Sequence, residues 1–118
     1  MKVIVIKPGE KPVVKEIENS LDSLKAEVGG YLEGLRFTDG AYVYIDEYGK
    51  EKGLPCNDLA TQLCGKYEVG LAPEDGICGT FIIVGTLNEQ GQHDCDDHDV
   101  PDLLAEQILK ESEKILNE

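Results

Sequence analysis

Tryptophan is absent from this 118-residue chain, and Phe (2), Tyr (5) and Met (1) are sparse. A core must therefore be assembled mainly from Val, Ile and Leu. Basic residues are also scarce: 11 Lys and Arg stand against 24 Asp and Glu, a net charge of −13. That balance argues against direct binding to nucleic acid or an anionic membrane, since phosphate would be repelled. It favours a basic partner or a cation. No stretch is long and apolar enough to span a bilayer. The opening run Val3-Ile4-Val5-Ile6 is too short for the core of a signal peptide, so a cytoplasmic location is expected. The four cysteines (Cys56, Cys64, Cys78 and Cys95) are then expected to be reduced thiols rather than a disulfide frame. Also missing are a phosphate-loop motif, a serine elbow and a dinucleotide fingerprint. The chain is expected not to be an enzyme, and no cofactor is expected.

With 41% hydrophobic and 30% charged residues, the composition is that of a folded protein. The length suits a single domain over residues 1–118. Short apolar runs bounded by Pro and Gly predict strands at 2–6 and 12–17. A helix follows, capped by Asn19 or Ser20, with Leu21, Leu24 and Val28 on one face and Gly29-Gly30 as its stop. Strands are predicted at 31–36 and 41–46. In the second, Tyr42 and Tyr44 point one way and Val43 and Ile45 the other. A turn at 47–50 leads to a short returning strand at 51–54. Pro55-Cys56-Asn57 opens a helix over 58–64, closed by Gly65. Residues 66–76 read as loop with one short strand. The run at 77–84, ICGTFIIV, reads as a central strand, with Gly79 marking a close backbone approach. A final helix spans 100–117, with Asp99 as N-cap and Pro101 in its first turn. Its apolar stripe is Leu104, Ile108, Ile115 and Leu116, flanked by Leu103 and Leu109. The predicted class is α+β: a mainly antiparallel sheet of about five strands with helices packed on one face.

Several blocks of this chain, taken in order, resemble a known family. They are MKVIVIKPGEKPVVKEIENSLDSLKAEVGGYLEGL, YIDEYGKEKGLPCNDLA and GTFIIVG. The family they resemble is the domain-of-unknown-function family numbered 3846, small proteins carried by bacteriophages and mobile elements. The resemblance covers residues 1–86, with the acidic loop at 87–99 and the final helix beyond it. It implies a phage or mobile-element setting, in which small accessory proteins bind a host or defence protein or sequester a small molecule. It supplies no catalytic residues.

The charge is uneven. Residues 87–118 hold 10 acidic residues against two lysines, or −8, and include both histidines of the chain. Three site hypotheses follow. The first is an acidic partner-binding face made of Asp94, Asp96, Asp97, Asp99, Glu106 and Glu113, suited to a basic protein groove that normally receives nucleic acid. The partner would be a host or anti-phage defence protein. The second is a small-molecule site for a nucleotide-like signal at the strand-to-helix turn of Gly53, Leu54, Pro55 and Asn57, where free N–H groups could hold an anion. Plain capping by Asn57 is the simpler reading of the same turn. The third is a metal site at His93, Cys95 and His98, which lacks the second ligand pair of a structural zinc site. Calcium fits no better. With Asp94 as position one of an EF-hand loop, position six is Asp99 and position twelve is Ala105. Cys95 among aspartates would be a poor nucleophile, because negative neighbours raise a thiol pKa.

Overall fold

A computed structural model describes residues 1–67 and 76–117. The expected strand or loop at 66–76 falls largely outside the described residues. Among the described residues there are nine elements, in chain order β1 (Lys2–Ile6), β2 (Val13–Glu16), α1 (Leu21–Val28), β3 (Leu32–Thr38), β4 (Ala41–Asp46), α2 (Asp58–Lys66), β5 (Phe81–Leu87), β6 (His93–His98) and α3 (Asp102–Leu116). The strands form one six-stranded antiparallel sheet in the order β2-β1-β5-β4-β3, with β6 also paired to β5. The α+β class and the antiparallel sheet are as expected.

β5 is the centre of this arrangement. Phe81, Ile82, Ile83 and Val84 are all fully buried. A strand with no polar alternation must be covered on both faces, and here both faces are covered. On one face Ile4, Ile6, Val43, Phe81 and Ile83 meet Leu59, Leu63 and Cys64 of α2 and Ala105, Ile108 and Ile115 of α3. On the other, Val3, Val5, Ile82 and Val84, with Tyr42 and Tyr44, meet Leu24 and Val28 of α1. The expectation of helices on one face thus holds for α2 and α3, while α1 covers the other.

Local signals explain the helix ends. Ser20 caps α1 by accepting from the Ser23 N–H, and Gly29 ends it at φ 89°. A left-handed residue is what glycine supplies at low cost. Several expectations are corrected. Leu21 is 59% exposed and lies off the buried face of α1. Residues 51–54 make successive turns rather than a strand. Gly65 lies inside α2, which runs to Lys66 with Tyr67 as its C-cap. Ile77 and Cys78 precede β5 rather than belong to it. In α3 the buried stripe is Ala105, Ile108, Ser112 and Ile115. Leu103 is 81% exposed, and Leu116 is also exposed. Ser112 fits the stripe because its hydroxyl donates to the Ile108 carbonyl, which satisfies its polar atom internally.

The largest correction concerns residues 87–99. Expected as a solvated loop, they form a hairpin. Asn88 Oδ1 accepts from the N–H groups of Gln90 and Gln92, Gly91 sits at φ 74°, and the chain returns as β6. Aspartate is a poor strand former. Tertiary pairing overrides it, because β1 pairs with β5 only from Phe81 to Ile83, leaving the strand edge beyond for β6 at Gly85 and Leu87. Asp99 is not the cap of α3. Its carboxylate accepts from Lys2 N at 2.8 Å, and Val100 N donates to the Lys2 carbonyl at 2.9 Å. The residue before a proline is pushed to extended backbone, so the chain runs beside β1 through Val100 and the helix starts after Pro101.

Gly85 is where β6 leaves β5, and a Cβ there would strike the carbonyl oxygen of Asp99. Gly85→Ala should destabilise the protein by about 1–3 kcal/mol, the usual cost of overpacking. It should also speed amide exchange in β6 before the rest of the sheet. Hydrogen exchange read residue by residue checks this; unchanged protection in β6 would contradict it.

Candidate functional site

β6 presents its side chains on an edge of the sheet. His93, Asp94, Cys95 and Asp96 are exposed, and Asp97 and His98 are half-buried. The aspartates do not behave alike. Asp94 Oδ1 accepts from His98 Nε2 at 2.6 Å and from Asp96 N, and Oδ2 accepts from Asn88 Nδ2. The His98 hydrogen bond, with the Asp96 N–H behind it, holds Asp94 below the usual carboxylate range. Asp97 goes the other way. Burial pushes its carboxyl up and Asp96 adds to that, while the Tyr44 hydroxyl and His98 hold it back. Tyr44 donates to the Asp97 carboxylate at 2.9–3.0 Å. Its own pKa is raised by burial and then by the Asp97 carboxylate. Asn19, just ahead of α1, donates to the Asp97 carbonyl. Asn19, Tyr44, Asp96 and Asp97 rim a shallow cleft of about 390 Å³ that also takes in Leu24, Cys95 and His98.

The six acidic residues expected to share one face are divided. Asp97 is bound on the α1 side of the sheet, through Tyr44. Glu106 and Glu113 are exposed on α3, which packs on the opposite side. Asp99 faces Lys2. The acidic edge therefore comes down to Asp94 and Asp96; Asp97 is half-buried against Tyr44, and Asp99, though exposed, is tied to the β1 backbone. The helix has its own ion pairs: Glu111 meets Lys66 at 3.0 Å and Lys114 at 3.5 Å.

At the glycine turn, Asn57 caps α2 as the simpler reading expects. Asn57 is 1% exposed. Its Nδ2 donates to the carbonyls of Ile6 and Gly79, both at 2.9 Å, and its Oδ1 accepts from Ala60 N. Every polar group of that side chain is thus engaged inside the protein. Gly53 takes φ 69° to turn the chain, and Leu54 packs beside Gly79, at 2.8 Å from where a Cβ would stand.

The metal ligands do not converge. His93 Nδ1 meets Thr86 Oγ1 at 3.0 Å, and its Nε2 faces Asp39 at 3.3 Å, while His98 turns to Asp94. Among the described residues no group of three or more His, Cys, Asp or Glu is placed to hold a metal ion. Cys64 is buried on the inner face of α2, and burial raises its thiol to about 11, which suits a packing role.

Sequence reasoning missed Tyr44 and Asn19. Alternation placed Tyr44 on a strand face, but its partner lies 53 residues away. Only strand order brings the two together.

A family model described as a domain of unknown function (DUF3846) matches residues 1–110. The match runs through β6 and into α3, so the acidic strand lies within the family's span rather than beyond it. No curated protein and no solved structure matches the chain. Among the described residues no helix is long and apolar enough to cross a membrane.

Two measurements test this geometry. Asn57→Ala leaves two buried carbonyls without donors and removes a helix cap. It should cost roughly 3 kcal/mol or more in urea denaturation; a loss under about 1 kcal/mol would contradict the clamp. For Asp97, the folded chain holds the proton to a higher pH than the unfolded chain. Its contribution to stability is therefore greatest below the ordinary aspartate range and declines as pH rises through the raised value. Tyr44→Phe removes a hydrogen bond to the anion, so the Asp97 midpoint should climb further. Carboxyl NMR titration of both proteins reads this directly, and a midpoint at or below the ordinary aspartate value would refute it.

Proposed function

The chain belongs to the DUF3846 family, and from that premise we propose that it is a non-enzymatic accessory protein of a phage or mobile element. It acts in the host cytoplasm by binding a host or anti-phage defence protein with a basic surface. The contact is the acidic β5–β6 hairpin. The observation that carries this reading is β6 itself: the sequence HDCDDH folded as an exposed edge strand. Charges held on a paired strand lose less freedom on binding than charges on a free loop. A net charge of −13 would speed encounter with a basic partner and penalise acidic ones. A groove that normally receives nucleic acid is the kind of surface that fits.

Asp94→Asn with Asp96→Asn keeps the size of both side chains and removes two charges. With the partner taken from a pull-down on the full chain, the double variant should bind it about tenfold more weakly at low salt, and its affinity should fall less steeply as salt is added. Equal affinity and equal salt dependence for both proteins would sink the proposal.

A further inference from the structure

Cys56 and Cys78 stand directly opposite each other in an isolated antiparallel bridge between the approach to α2 and the approach to β5. The backbone hydrogen bonds flank this pair rather than join it: Asn57 N donates to the Ile77 carbonyl at 2.8 Å, and Gly79 N to the Pro55 carbonyl at 2.9 Å. That pattern defines a narrow, non-hydrogen-bonded pair, in which opposed Cα atoms lie about 4.5 Å apart and side chains are closest. Disulfides span Cα separations of about 4.4–6.8 Å. From this placement we propose that Cys56 and Cys78 form a reversible cross-strand disulfide, a redox modification site independent of the acidic hairpin.

The register is held firmly. Besides the two flanking bonds, Asn57 Nδ2 donates to the Gly79 carbonyl, on the Cys78 side of the bridge. Gly49 packs so close that a Cβ there would lie 2.8 Å from the Cys78 carbonyl oxygen. Access is asymmetric: Cys56 is exposed and Cys78 half-buried. The remaining cysteines are poorly placed for the exchange, with Cys64 buried in α2 and Cys95 away on β6.

The oxidant is a low-molecular-weight disulfide. The Cys56 thiolate attacks one of its sulfurs and releases one thiolate, which takes up the proton that Cys56 gave. The Cys78 thiolate then attacks the Cys56 sulfur, forms the protein disulfide and releases the second small thiol. Two protein thiols are oxidised and one small disulfide is reduced to two thiols. The bond closes the chain from 56 to 78 around α2. It also fixes one wall of the cavity of about 260 Å³ that Cys78 lines with Glu33, Asp46 and Gly49. Exposed disulfides tend to be the labile, regulatory ones, so reduction is expected to be easy.

The full chain is incubated under native conditions with oxidised glutathione, and peptides are mapped by mass spectrometry after alkylation. The expected result is a monomer carrying a Cys56–Cys78 link, with Tm raised by about 5–10 °C and restored by dithiothreitol. Cys56→Ser should abolish both effects, and Cys95→Ser should leave both intact. The proposal is overturned if both thiols are still alkylated singly, if the link forms only in urea, if Cys95 takes the link instead, or if the linked protein does not gain in Tm.

Discussion

The double-sided burial of β5 is the constraint on which the rest depends. Four consecutive residues, Phe81 to Val84, have no exposed surface. Burying them requires cover on both faces and pairing on both edges. β4 takes one edge along Ala41 to Tyr44, and β1 and then β6 share the other. Each helix follows from the same demand: α2 and α3 shield Phe81 and Ile83, and α1 shields Ile82 and Val84. At about 25 cal/mol gained per Å² of apolar surface buried, this mainly aliphatic centre, with Phe37 packed edge-on against Phe81, supplies the core's stabilisation.

The acidic segment obtains its order from that centre. Six residues that would remain a loop on local preference become a strand because the edge of β5 is open beyond Ile83. Pairing then decides the chemistry of each carboxylate. Asp97 is drawn toward Tyr44 and partly desolvated, Asp99 satisfies a backbone N–H of β1, and Asp94 settles on His98. What looked like a uniform run of charge is two surface groups backed by two structural ones.

Asn57 links the family's middle block to the core. One buried side chain ties the β1 carbonyl at Ile6, the Gly79 carbonyl and the first turn of α2. The same segment holds Cys56 opposite Cys78. The residues that seemed to offer a ligand turn therefore act as a joint, and the chemistry of that joint lies in its thiols.

Local rules made much of the fold legible. The runs VIVI and FIIV, the Ser20 cap, the Gly29 stop and the Asn57 cap are read from neighbours in sequence, where periodicity and capping operate within a few residues. Element ends differ at Gly65 and at residues 51–54, where local helix and turn hydrogen bonds continue, and at Asp99, where a tertiary hydrogen bond to Lys2 outweighs the capping signal. Of the candidate residues, Asp94 and Asp96 could be read as exposed charge, but the separation of Glu106 and Glu113 from them could not. The sequence alone determined an aliphatic α+β domain with a concentrated negative charge near its end. Only the tertiary structure decided that the charge would form a strand, that Tyr44 would meet Asp97, and that Cys56 would face Cys78. Those outcomes rest on strand order and register, which join residues 6 to 53 positions apart and leave no periodic trace along the chain.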